Sequence, residues 1–330
     1  MNRMAPWIVA ALLVAGCGQD GRGEAPPYDT DFDIPRTENF AASLAAYGLY
    51  RAPLADLQPA DGAVLYELSS ALFTDHAKKQ RLVRLPAGAT VDRVGERLVF
   101  PEGTVLAKTF YYPADARAPD ADRRVIETRL LVKADGQWNV ATYLWNAEQT
   151  DATLLLDGAT TDVSWIDEAG RRRSTTYAVP HEGECVTCHQ SGGVVAWIGP
   201  SLRNLDRSVH RGGATVDQLD HLVDRGVLAD GDRASAPTMP DHRDPALPLD
   251  ARARAYLDIN CAHCHNPDGW DAASERRFDL RFSTPFDESG IARKADDLVR
   301  VLESGEMPYL GTTLLDEAGV RLVLDYIDGL

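Results

Sequence analysis

The sequence predicts an α+β protein, with an antiparallel β-domain followed by a mostly α-helical region. Three observations predict it. Between residues 62 and 180 apolar and polar side chains alternate, and β-branched and aromatic residues are frequent. Asp135-Gly136, set between Val132 and Trp138, is a two-residue hairpin signal, because both positions tolerate positive φ. From residue 249 onward the apolar spacing becomes helical, with glycine stops such as Gly305. Turn signals recur at short intervals in the first half, which favours hairpins over βαβ units.

The N-terminus comes first in order. Arg3 precedes an apolar run over residues 7–15. That run is too short for a membrane-spanning helix, which needs about 20 residues, and it reads as a signal peptide occupying residues 1–16. It ends in Val14-Ala15-Gly16-Cys17, which resembles a bacterial lipobox. Cleavage after Gly16 would leave Cys17 acylated and the protein lipid-anchored on the periplasmic side of a membrane. Gly18 stands where an aspartate would favour inner-membrane retention, so the outer membrane is the expected location. The alternative is an ordinary signal peptide with a stray cysteine. Residues 17–38, rich in Gly, Pro and Asp, read as a flexible tether.

The β-rich domain is expected over residues 39–180. Strands are predicted at 97–100, 104–112 and 125–133, and a second hairpin joins 163–166 to 175–177 through 167–170. Lys108, Glu127, Arg129 and Glu148 are candidates for a site, but alternation puts charges on any solvated sheet face, and that plainer reading is preferred.

Of the five cysteines, the four beyond Cys17 decide the chemistry. Cys185-Val-Thr-Cys188-His189 and Cys261-Ala-His-Cys264-His265 use every cysteine except Cys17. Two thiols three positions apart can reach the two vinyl-derived carbons on one edge of a haem. The histidine that follows then falls under the iron as the proximal ligand. Two covalently bound haem c groups are therefore expected, attached through Cys185, Cys188, Cys261 and Cys264, with His189 and His265 as iron ligands. Zinc or paired disulfides are the alternatives; zinc needs four ligands and places no demand on histidine at this position.

Around the second motif, a helix candidate at 249–259 runs into Cys261. Another spans 296–303 and stops at Gly305, Met307-Pro308 follows, and a terminal helix covers 316–327. This order resembles the class I cytochrome c fold and implies that Met307 is the second iron's distal ligand. The other reading of Met307 is a surface or core methionine. The first motif reads as an imperfect copy of the second. Leu202-Arg203 parallels Leu280-Arg281, residues 217–226 parallel 296–305, Met239-Pro240 parallels Met307-Pro308, and Gly199-Pro200 resembles the turn that hydrogen-bonds the proximal histidine in class I cytochromes. Met239 is then the candidate distal ligand of the first iron, with His210, His221, His242 or a five-coordinate iron as alternatives. The region divides into a first haem-binding segment at 181–248 and a class I-like cytochrome c domain at 249–330.

The strings at 72–81, 126–131, 145–152 and 252–261 (the last reading Arg-Ala-Arg-Ala-Tyr-Leu-Asp-Ile-Asn-Cys) make the whole mature chain similar to a family of exported bacterial dihaem c-type cytochromes, in which a β-domain precedes a mostly α-helical, dihaem cytochrome c-like region. The resemblance implies architecture and haem content, not a substrate. The formal charge of −16, from 50 acidic and 34 basic side chains, argues against nucleic acid. It suits a redox partner with a basic docking patch, and equally a merely solvated surface. The leading expectation is extracytoplasmic electron transfer from a dehydrogenase or quinol-linked donor to a downstream acceptor. The alternative is a dihaem enzyme, a peroxidase or small-molecule oxidase, with the first haem as reaction centre.

Overall fold

The computed structural model describes residues 40–119, 121–231, 238–270, 273 and 277–330. The expected signal peptide, Cys17 and the tether lie outside them. No helix among the described residues is long and apolar enough to cross a membrane.

Eight strands open the chain: β1 Ala63–Leu65, β2 Lys78–Arg84, β3 Asp92–Val94, β4 Arg97–Val99, β5 Val105–Pro113, β6 Arg123–Ala134, β7 Gln137–Trp145 and β8 Ala152–Leu155. Six of them form one antiparallel sheet in the order β1-β2-β5-β6-β7-β8, and β3 and β4 make a separate hairpin. Asp135 and Gly136 join β6 to β7 with φ of 54° and 75°, the doubly positive turn whose twist suits a hairpin. Alternation divides the sheet into two faces. Leu82, Ala107, Leu130 and Ala141, opposed in register, face Leu44, Leu49 and Leu57 of the preceding segment. Val83, Leu106 and Trp138 point the other way, into a core shared with Val195, Leu202, Leu205 and Leu222. A second hairpin, β9 Ala159–Ile166 with β10 Arg172–Val179, buries Val163, Trp165 and Tyr177 against Phe110 and Tyr112.

The expectation of a mostly α-helical region is not met: the molecule is sheet-rich, and helix makes up only 24% of it. After residue 180 come α1 Glu182–His189, β11 Gln190–Ser191, β12 Val194–Val195, α2 Leu202–Leu205, β13 Ser208–Arg211, β14 Ala214–Asp217 and α3 Gln218–Asp224. The cause is a pair of diglycines. Gly192-Gly193 and Gly212-Gly213 all take positive φ, from 57° to 83°, and turn β11 into β12 and β13 into β14. Among the described residues the longer helices come later, as α4 Leu249–Asn260, α6 Ala295–Glu303 and α7 Glu317–Asp328, with a short α5 at Phe286–Ser289. The two motifs are also carried differently, so the internal copy is not reproduced. The first lies within α1, whereas the second starts at Cys261, the residue that caps α4.

Buried Asp75 ties the ends of the chain together. Its carboxylate accepts hydrogen bonds from the Thr313 and Leu314 amides at 2.8 and 2.7 Å and from the Thr313 hydroxyl at 2.9 Å. The Phe73 amide donates to Asn260 Oδ1 at 2.8 Å, one residue before the second motif.

Candidate functional site

α1 is started by a reciprocal cap. His181 Nδ1 accepts from the Gly183 amide at 3.2 Å, and Glu184 Oε2 accepts from the His181 amide at 3.0 Å. Spacing of three and four residues then puts Cys185, Cys188 and His189 on one face of the helix. In the second motif, the Cys264 and His265 amides both donate to the Cys261 carbonyl, at 3.1 and 2.9 Å. The turn beyond α4 therefore presents Cys261, Cys264 and His265 together.

Both motifs open into one cavity of about 430 Å³. Cys185, Cys188, His189, Cys261, Cys264 and His265 all line it, and so does Met307. The wall near the second motif is apolar, from Phe278, Leu280, Leu298 and Val323. The motifs touch at their second cysteines. The ligand atoms of Cys188, Cys264 and His263 lie within 4.8 Å of one another. The four thiols are free. Burial pushes Cys185 up to about 11 and Cys261 up to about 12. Hydrogen bonding between Cys188 and Cys264 raises the former and lowers the latter.

His189 is oriented by a backbone group. Its Nδ1 lies 2.8 Å from the Ala196 carbonyl oxygen, so Nδ1 carries the proton and Nε2 is left as the ligand atom. Burial pushes this histidine down to about 3, so it is neutral, the form that binds metal. His265 is lowered by burial as well. The Gly199-Pro200 turn does not hold the histidine as expected; the Pro200 carbonyl instead accepts from Trp197 Nε1 at 2.9 Å. No family model, curated protein or solved structure matches this chain.

The candidates for the distal position beside the first motif are not gathered there. Met239 is only 2% exposed, and its amide donates to the Arg203 carbonyl at 2.8 Å, but its side chain does not line the cavity. His210, His221 and His242 do not line it either. His242 is buried, with Nδ1 2.9 Å from Ser70 Oγ and its ring against Tyr256. Two residues read as solvated charges, Lys108 and Arg129, are cavity-lining instead. Glu127 is fully buried and holds Arg129 through both oxygens, at 2.5 and 2.9 Å, while Glu148 is exposed. Alternation marked these residues as sharing a face, but nothing in the sequence showed that the face is covered.

Proposed function

We propose that this chain is a dihaem c-type cytochrome of the exported family its sequence resembles, transferring electrons outside the cytoplasm between a dehydrogenase or quinol-linked donor and a downstream acceptor. The observation that carries this reading is the shared cavity: four thiols and two half-buried histidines converge on it from two Cys-x-x-Cys-His strings. The donor set suits haem c. The thiols stand in two pairs with a histidine beside each, His189 is held with Nε2 available, and the walls are largely apolar. When bound, each haem supplies a one-electron iron couple.

What the chain contributes follows from its own atoms. The Ala196 carbonyl fixes the His189 ring and raises its basicity as a ligand. Cys188 and Cys264 lie against each other, so haems held at the two strings would have their attachment edges close together. Met307 lines the same cavity and packs against the apolar cluster beside the second motif, so it would be the residue to supply a thioether ligand. Its amide donates to the Val301 carbonyl at 3.1 Å, and Asp75 anchors the loop that follows. Apolar walls exclude water and favour the less charged state of a redox centre.

The second reading, an enzyme with its reaction centre at the first motif, is favoured by one observation. Met239, His210, His221 and His242 all lie off the cavity, so none of them closes the distal side.

Near-infrared absorption and redox titration of the purified protein test both readings. Met307→Ala is expected to abolish the methionine-to-iron charge-transfer band and lower one potential, with Met239→Ala leaving the band in place. A band lost only in the Met239 variant contradicts this assignment of ligands. Cyanide binding at one haem of the wild type supports the enzyme reading, and two inert haems support the relay.

A further inference from the structure

The face of the six-stranded sheet that looks into the cavity carries an unusual row. Arg81 on β2 is paired in register with Lys108 on β5, and Lys108 with Arg129 on β6. All three line the cavity that holds the first motif. Neighbouring strands stand about 4.8 Å apart, so directly opposed side chains are in contact range, and like charges placed this way repel. One side of the row is apolar, with Val83, Leu106, Leu131 and Val140 in the same register.

Only one of the three cations has its counter-charge. Arg129 is held by Glu127, whose Oε1 also accepts from the Tyr177 hydroxyl at 2.5 Å, so this acid is committed to Arg129 and reaches Lys108 only through its field. Among the described residues neither the Arg81 nor the Lys108 side chain makes an ion pair or hydrogen bond. The acid that acts on Arg81, Glu67, is taken by Arg211 at 2.8 Å. Lys108 is left with the face of Phe110, 5.0 Å from its Nζ, a ring that Arg129 shares at 4.6 Å. Burial lowers both Arg81 and Lys108. Buried Arg81 and half-buried Lys108 face each other across strands with no acid hydrogen-bonded to either, so an oxyanion from outside the chain would be stabilised between them.

We propose that Arg81, Lys108 and Arg129 form an anion-binding floor beside the first motif that takes a carboxylate or similar small oxyanion. A guanidinium fork and an ammonium side by side suit a planar, two-oxygen group. Such oxygens have two sources: the carboxylates of a haem attached at Cys185 and Cys188, which rests on the dihaem reading, or a free oxyanion, which does not.

The test uses the intact, haem-loaded protein with sodium formate as the probe, followed by calorimetry, together with resonance Raman spectra of the haem propionate bending modes. Variants are Arg81→Gln, Lys108→Met and the charge-keeping Arg81→Lys. If the site takes a free oxyanion, formate binds the wild type saturably. Binding then weakens at least tenfold in the two neutral variants and returns in Arg81→Lys. If haem carboxylates fill it, formate does not bind, but the propionate modes shift in both neutral variants and not in Arg81→Lys. Formate affinity indifferent to the variants, or no binding together with unchanged modes, overturns the proposal. Haem content measured on the same samples keeps the two readings apart: protein produced with a c-type assembly system that carries no haem yet binds formate through this row contradicts the dihaem reading and leaves the site. In haem- and formate-free protein, Lys108→Met relieves repulsion and should melt no lower than the wild type. A clear fall in its melting temperature shows the lysine to be structural and also overturns the proposal.

Discussion

Glu127 is fully buried, and both its oxygens are engaged by Arg129 and the Tyr177 hydroxyl. Burial opposes the charge on Arg129, and its neighbours, Glu127 first and Tyr177 after it, more than offset that cost. Glu127→Gln keeps the shape and removes the charge, leaving the guanidinium uncompensated. A loss of about 3–5 kcal/mol in urea denaturation is expected. Tyr177→Phe removes one hydrogen bond to a charged group and should cost less, about 1.5–3 kcal/mol. His242 supplies a pH dependence. Burial pushes it from 6.5 down to about 4, so between those values the unfolded chain binds a proton that the folded chain does not. Stability is therefore full above pH 6.5 and falls as pH drops toward 4, by up to ~3 kcal/mol. Urea midpoints at pH 7 and 4.5 measure this, and His242→Gln should shrink the difference. An unchanged difference would assign it to other groups.

At the scale of elements, α4 and α7 cross where Gly319 meets Tyr256. A Cβ at Gly319 would overlap the Tyr256 ring, which is itself packed on His242 and has no flexible end to move aside. Gly319→Ala should therefore overpack this crossing and cost about 1–3 kcal/mol, read as a lower denaturation midpoint. Several elements were legible from local chemistry. The Asp135-Gly136 turn, the strands either side of it, α4, α6 and the glycine stop at Gly305 all depend on residues close in sequence. The hairpins at Gly192-Gly193 and Gly212-Gly213 carried an equally local signal, but the segment was read as a copy of the second motif, and a helical template hid it. The outcome is a first motif embedded among short strands rather than in a helical bundle.

At the scale of the whole molecule, the candidate site was legible as two attachment strings and illegible as a place. Spacing singles out Cys185, Cys188, His189, Cys261, Cys264 and His265, because a Cys-x-x-Cys-His string is a pattern of near neighbours. It says nothing of partners far along the chain. The contact of Cys188 with Cys264, the Ala196 carbonyl on His189 and the cover over Lys108 and Arg129 all come from long-range packing. Met239 shows the converse: a plausible match in sequence order is carried by the fold to a buried position off the cavity. Asp75 shows how such packing reaches the second motif, since it holds the loop after Met307 from the opposite end of the chain. The central claim is that both strings carry haem in one cavity. A pyridine haemochrome assay combined with metal analysis, on protein matured with a c-type assembly system, tests it most directly. Two haems per chain, neither extractable by acidified solvent, with no stoichiometric zinc, is the predicted result. One haem or none, or one zinc per chain at Cys188, His263 and Cys264, would contradict it.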